Sequence, residues 1–138
     1  MIEVFTDGGS RGNPGEAASG VYIRDDSGNE LASLGIRLGI DTNNVAEYTA
    51  VIKAYDWLLS HPEIIDKQSE IKFFMDSKLV MSQVTGQWKI KHPNMQGLYL
   101  IVKEKEKKLG KKVSYTHIPR ALNKKADALV NAALDNLL

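Results

Sequence analysis

Hydrophobic positions change period several times along the chain, and each change marks an element. Residues 2–7 have the length and apolar content of a strand. The stretch Gly8–Gly15 gathers glycines with Asn13 and Pro14 and reads by composition as a loop. Residues 18–24 and 30–38 are two more short apolar segments, split by Asp25-Asp26-Ser27-Gly28-Asn29, a hairpin signal. A link that tight makes them antiparallel neighbours. From Asn44 the period becomes helical: Tyr48, Val51, Ile52, Tyr55, Leu58 and Leu59 recur at three- and four-residue spacing until His61-Pro62 ends the run. Residues 70–75 return to a strand pattern, and 77–86 predict a shorter helix ending near Gly86. A third helical stretch begins around Pro93 and dissolves into Lys103–Lys108, and the run Lys103 to Lys112 reads as a solvated helix end and turn. Residues 112–118 form a last strand. Asn123 then opens an amphipathic helix carrying Ala126, Leu129, Val130, Ala133, Leu134 and Leu137. Three hairpin-type strands followed by strand–helix alternation predict an α/β protein, a mixed sheet with helices packed on it. No repeat, low-complexity segment or linker interrupts residues 1–138, so one domain is expected.

Charge leaves the partner open. Eighteen basic residues against seventeen acidic give a net charge of only +1, whereas dedicated nucleic-acid binders often carry a clear positive excess. Distribution matters more than the sum, because carboxylates gathered around a cation leave the remaining surface more positive. The absence of cysteine excludes disulfides, thiolate metal sites and a catalytic thiol. The opening Met-Ile-Glu-Val-Phe-Thr-Asp lacks the marks of a signal peptide, and no apolar run reaches membrane-spanning length. The expectation is a cytoplasmic monomer with no membrane association and no obligate protein partner.

The acidic residues carry the chemistry. Two strands end alike, Phe5-Thr6-Asp7-Gly8 and Phe74-Met75-Asp76-Ser77, each placing an Asp where open α/β sheets form their ligand crevice. An Asp after a strand is also ordinary turn chemistry. As parallel neighbours, however, the two carboxylates would repel strongly unless a cation sat between them. Glu47 and Asp127 strengthen that reading, since each lies in the first turns of a helix on its apolar side. From Glu47 the same face runs through Val51, Ala54, Tyr55 and Leu58. Asn44-x-x-Glu47 also reads as a capping box, and an early acidic residue suits the helix dipole. For Asp127 only the dipole reading is available, and it does not explain the inward face, because burying an unpaired charge is costly. Asp135, later in the last helix, serves as the ordinary acidic residue. Four carboxylates able to converge at one sheet edge suit hard divalent cations and phosphodiester cleavage.

The motifs resemble those of the type 1 ribonuclease H family. Thr6-Asp7-Gly8-Gly9-Ser10-Arg11-Gly12-Asn13-Pro14-Gly15 resembles its opening signature, and Thr42-Asn43-Asn44-Val45-Ala46-Glu47 its second motif. Asp76-Ser77 resembles the third, and Asn123-Lys124-Lys125-Ala126-Asp127 the fourth. The resemblance implies a ribonuclease H-like fold: a five-stranded mixed sheet, three antiparallel strands then two parallel, flanked by helices. It implies Asp7, Glu47, Asp76 and Asp127 as catalytic metal ligands for Mg²⁺, or Mn²⁺ in its place, two ions being held with substrate. The implied reaction cuts the RNA strand of an RNA–DNA hybrid to 5′-phosphate and 3′-hydroxyl ends. By position, Ser10, Gly12, Asn13, Asn43 and Asn44 match residues that read RNA 2′-hydroxyls, and Thr42 matches a pocket for a DNA phosphate. Small polar groups suit a shallow minor groove displaying 2′-hydroxyls. A dinucleotide cradle at Gly8–Gly15 fails on context, because Gly20-Val21-Tyr22-Ile23 continues as a strand rather than a helix.

Two departures from the family pattern stand out. Many members carry a basic protrusion after the third motif; here Gln87-Trp88-Lys89-Ile90-Lys91-His92-Pro93 runs almost directly into the next helix. Trp88 matches a position near substrate, and Lys89 and Lys91 can meet phosphates. Weaker, more salt-sensitive binding is expected. The family's mobile loop histidine is also absent from Pro119-Arg120-Ala121-Leu122; His117 lies upstream within the strand, which leaves Arg120 as the candidate replacement. Two other readings stay open: a hybrid-binding module without catalysis, and a nuclease of the same fold with other duplex specificity.

Overall fold

The computed structural model describes residues 1–138. The chain runs β1 (Ile2–Gly12), β2 (Gly15–Asp25), β3 (Glu30–Asp41), α1 (Asn43–Leu59), α2 (Pro62–Ile65), β4 (Glu70–Met75), α3 (Lys78–Val84), α4 (Pro93–Leu109), β5 (Lys112–His117), a 3₁₀ turn (Arg120–Leu122) and α5 (Lys124–Leu134). The sheet order is β3-β2-β1-β4-β5. β3, β2 and β1 pair antiparallel, while β1, β4 and β5 pair parallel. This is the mixed sheet that the pattern of elements predicted.

Period-two alternation builds one core. Ile2 and Val4 of β1, with Ile71, Phe73 and Met75 of β4, are fully buried against Tyr48, Val51 and Tyr55 of α1. The Tyr55 and Phe73 rings stack with centroids 4.9 Å apart. β2 is buried without alternation from Ala17 to Tyr22 and Ile23, because helices cover both its faces. Truncating a buried aromatic such as Phe73 costs ~3–5 kcal/mol. An exposed ion pair contributes about 0–1 kcal/mol, so apolar packing holds the sheet together.

The structure corrects several element boundaries. The glycine-rich stretch is mostly strand: β1 and β2 pair continuously to Gly12↔Gly15, leaving only Asn13 and Pro14 as the turn. Composition marks those residues as flexible, but the ladder supplies partners for their backbone groups. α1 starts at Asn43, capped by the Thr42 hydroxyl, which accepts from the Val45 amide at 3.2 Å. Glu47 therefore falls beyond the third helical position, and the capping-box reading fails. α4 does not dissolve at Lys103. It continues to Leu109 and closes on Gly110 in the left-handed region (φ 67°). Its charged end has partners in other elements: Lys105 pairs with Asp56 at 2.6 Å, and the Tyr115 hydroxyl donates to Glu106 at 2.8 Å.

Candidate active site

Two glycines let the helices descend onto the sheet, one from each face. A Cβ on Gly8 would lie 2.2 Å from the Ala46 carbonyl carbon and 2.3 Å from the Glu47 nitrogen. The start of α1 thus rests on bare β1 backbone, and Glu47 reaches past it. Gly20 pairs with Asp7 across the ladder, so it faces the opposite side from Gly8. A Cβ there would sit 2.3 Å from the Ala126 carbonyl oxygen, so α5 is seated equally close. That contact brings Asp127 to the same end of the sheet. Thr6 and Met75 are the last pair of the parallel β1–β4 ladder, so Asp7 and Asp76 follow side by side; Asp76 ends its strand as expected, whereas Asp7 lies midway along β1, which continues to Gly12 against β2.

Carboxylate oxygens of Asp7, Glu47 and Asp76 all lie within 4.8 Å of one another. Asp127 stands beside this group, its Oδ1 accepting a hydrogen bond from the Arg120 guanidinium at 3.1 Å. Asp7 and Glu47 are nearly buried. Burial first, then the Asp76 charge, pushes the Asp7 carboxyl up to about 7, and Asp127 adds to the effect. Burial and the neighbouring Asp7 hold the Glu47 carboxyl well above its ordinary range. No lysine or arginine forms an ion pair with Asp7, Glu47 or Asp76; Arg120, whose charge Asp7 and Asp76 feel, is bound to Asp127. Buried acidic oxygens held together without a positive partner suit a hard divalent ion, which would replace the protons that burial otherwise enforces.

Asn123 was not singled out as a site residue, because Asn before a helix looks like a cap. Its side chain makes no capping bond to α5. It is buried, and Nδ2 donates to the Thr6 carbonyl at 2.8 Å and lies 3.5 Å from Asp76 Oδ2. Asn123 therefore ties the start of α5 to β1 beside two of the carboxylates. Ser77 of the third motif does cap a helix, its hydroxyl accepting from the Val80 amide at 3.2 Å.

The small polar residues form a second constellation at the hairpin end. Asn43 Oδ1 accepts from the Ser10 amide at 2.7 Å and the Ser10 hydroxyl at 2.8 Å, and the Asn43 amide donates to Asn13 Oδ1 at 3.1 Å. Gly12 turns the strand there with φ 93°. Next to it, a cavity of about 480 Å³ is lined by Thr42 and Asn44 with Lys89, Lys91 and His92. His92 was not anticipated as a lining residue. Trp88, 45% exposed, faces a different cavity with Tyr99 and Leu100. His117 closes β5 in register with Met75 and is exposed. Arg120 leaves β5's end and turns back to Asp127.

A reverse transcriptase-like family profile matches residues 5–133. The chain is 38% identical over 136 residues to ribonuclease HI of Halobacterium salinarum, covering 98% of this chain and 65% of that protein. It is 38% identical over 135 residues to the bifunctional protein Rv2228c of Mycobacterium tuberculosis, covering 97% of this chain and 35% of the relative. The chain thus spans about a third of the length of the mycobacterial relatives it matches. Among solved structures, LC11-RNase H1, isolated from compost, superposes with a TM-score of 0.93 at 38% identity, covering 99% of this chain and 97% of that one. The same enzyme in complex with an RNA/DNA hybrid superposes with a TM-score of 0.89.

Proposed function

Because the chain belongs to the type 1 ribonuclease H family, we propose that it hydrolyses the RNA strand of RNA–DNA hybrids, leaving 5′-phosphate and 3′-hydroxyl ends. The observation that carries the reading is the close meeting of Asp7, Glu47 and Asp76 where the parallel β1–β4 ladder ends, with Asp127 beside them. These four would hold two divalent cations, Mg²⁺ or Mn²⁺, with substrate present. Such ions, when bound, supply activation of the attacking water and stabilisation of the leaving oxygen.

The chain's own residues position the duplex. Ser10, Asn13 and Asn43 already bond one another, so their polar groups are fixed before substrate arrives and cost little to order. With Gly12 and Asn44 they read 2′-hydroxyls, which the DNA strand lacks. Thr42 holds a phosphate of the DNA strand, and Lys89 and Lys91 around the same cavity supply positive charge where other members use a protrusion. Trp88 offers the substrate a half-exposed ring at the separate cavity it lines with Tyr99 and Leu100. Arg120, already beside Asp127, can turn to the scissile phosphate. Residues 1–138 act in this reading as one ribonuclease H domain, monomeric and cytoplasmic. No helix of the structure is long and apolar enough to cross a membrane.

The test is cleavage of an end-labelled RNA–DNA hybrid beside matched duplex DNA and duplex RNA, with Mg²⁺, Mn²⁺ or EDTA. Metal-dependent cutting of the hybrid's RNA strand, lost in Asp7→Asn, is the expected result. Binding without cutting would replace the enzyme with a hybrid-binding module. Cutting of duplex DNA in preference to the hybrid would leave the fold but overturn the specificity.

A further inference from the structure

A second cavity, of about 490 Å³, lies on the sheet face opposite α1, against the segment that joins β5 to α5. Its floor is aromatic. Phe5 and Phe74 stack with centroids 5.0 Å apart, and Tyr22 tilts against Phe5 at 6.1 Å. Phe5 and Phe74 are only partly buried there. Leu122, 66% exposed, forms one wall.

The rim is cationic. Arg24 lies over the Phe5 ring at 4.9 Å and pairs with Glu3 at 2.8 Å, which satisfies the only carboxylate of the lining. Lys125 lies 5.7 Å from the Tyr22 ring centroid. Lys124 and Lys125 are exposed and take part in none of the ion pairs. Aromatic faces with unpaired cations at their border match a ligand that is flat, π-rich and anionic together. That is the chemistry of an unpaired nucleotide, whose base stacks while its phosphate meets the lysines. An acidic peptide would meet the lysines but brings no flat π-system to take the place of Arg24 and Lys125 against the Phe5 and Tyr22 rings.

Position narrows the source. Phe5 precedes Asp7 by two residues and Phe74 precedes Asp76 by two, so on each strand the floor lies one same-face step before a site carboxylate, about 7 Å away. Pro119–Lys125 runs between the two, presenting Arg120 and Asn123 to the carboxylates and Leu122, Lys124 and Lys125 to the cavity. A strand leaving the carboxylate site therefore meets the cavity next. We infer that this cavity binds an unpaired nucleotide of single-stranded nucleic acid flanking the paired region. The location of the flank rests on the hybrid reading; the binding of single strands does not.

The experiment is a titration of ¹⁵N-labelled protein, without metal, with a ten-nucleotide oligo(dA), followed residue by residue in two-dimensional NMR spectra. Amide shifts at Phe5, Tyr22, Arg24, Phe74 and Leu122 are expected. The Lys124→Glu/Lys125→Glu protein should bind at least tenfold more weakly, with its own spectrum reporting whether it has folded. Mapping on the unaltered protein needs no variant. Shifts confined to Ser10, Asn43, Asn44 and the carboxylates would overturn the inference, as would equal shifts produced by an oligoglutamate of matched charge. Cutting of a blunt hybrid is measured apart. Cutting without these shifts removes only the single-strand site, and these shifts without cutting remove only the nuclease reading.

Discussion

At the scale of single residues, the site is organised around negative charge that the chain does not itself neutralise. Asp7 illustrates the consequence. Its carboxyl titrates near 4 in the unfolded chain but is pushed up to about 7 in the fold by burial and by Asp76. Between those values the native state binds more protons than the unfolded one, so stability falls as pH rises. A shift of about three units corresponds to at most roughly 4 kcal/mol. In EDTA, the melting temperature should therefore drop by several degrees from pH 5 to pH 8. Asp7→Asn should flatten that drop, and added Mg²⁺ should raise the melting temperature more at pH 8 than at pH 5. Equal pH dependence in the two proteins would show that Asp7 is not held in this way. Arg120 provides a second prediction, since it bonds Asp127 and its charge lies in the field of Asp7 and Asp76. Arg120→Ala should lower kcat on a hybrid roughly tenfold or more, about 1.4 kcal/mol in the barrier, while His117→Ala leaves turnover unchanged. Full turnover by Arg120→Ala with loss in His117→Ala would reverse that assignment.

At the scale of elements, backbone proximity decides what each residue can do. Gly8→Ala and Gly20→Ala place a methyl group against helix backbone, at 2.2–2.3 Å. No rotamer relieves such a contact, so α1 or α5 must lift from the sheet and carry Glu47 or Asp127 with it. Overpacking typically costs ~1–3 kcal/mol, and here each change should also remove cleavage in whatever fraction remains folded. Gly97→Ala is the contrast. It lies within α4 with nothing near its Cβ position, and should stabilise by ~0.5–1 kcal/mol. Thermal melts of the three variants check both directions. The same distinction explains what could be read from the chain. Asp7, Glu47, Asp76 and Asp127 were legible because their elements have clear periods, and an acidic residue on an apolar face is conspicuous. The strand from Gly8 to Gly12 was not, because its order comes from pairing with Gly15–Ser19 rather than from its own composition. Asn123 was hidden for a similar reason, since its type suits a cap and only the tertiary structure turns it towards Thr6 and Asp76. The end of α4 was misread because its partners, Asp56 in α1 and Tyr115 in β5, belong to other elements that only the fold brings alongside.

For the whole molecule, the near-zero net charge conceals an uneven surface. Four of the seventeen acidic residues stand at the candidate metal site, while Lys89 and Lys91 border the Thr42 cavity and Arg24, Lys124 and Lys125 border the aromatic one. In the proposed reading, cations at the carboxylates would offset their charge and leave these bordering basic groups to meet a duplex and its unpaired extension. Without a protrusion, however, few lysines are available for phosphates. Each phosphate contact makes log K fall with log salt by roughly 0.9 for B-form DNA. Replacing Lys89 and Lys91 together by alanine should make that slope shallower by about two for a blunt hybrid, and weaken binding most at low salt. Fluorescence anisotropy of a labelled hybrid across a salt series, with the Asp7→Asn protein so that nothing is cut, measures it directly. An unchanged slope would place both lysines in solvent, and the positive charge guiding the duplex would then have to come from outside the Thr42 cavity, whose lining includes Asp41 but no further lysine or arginine.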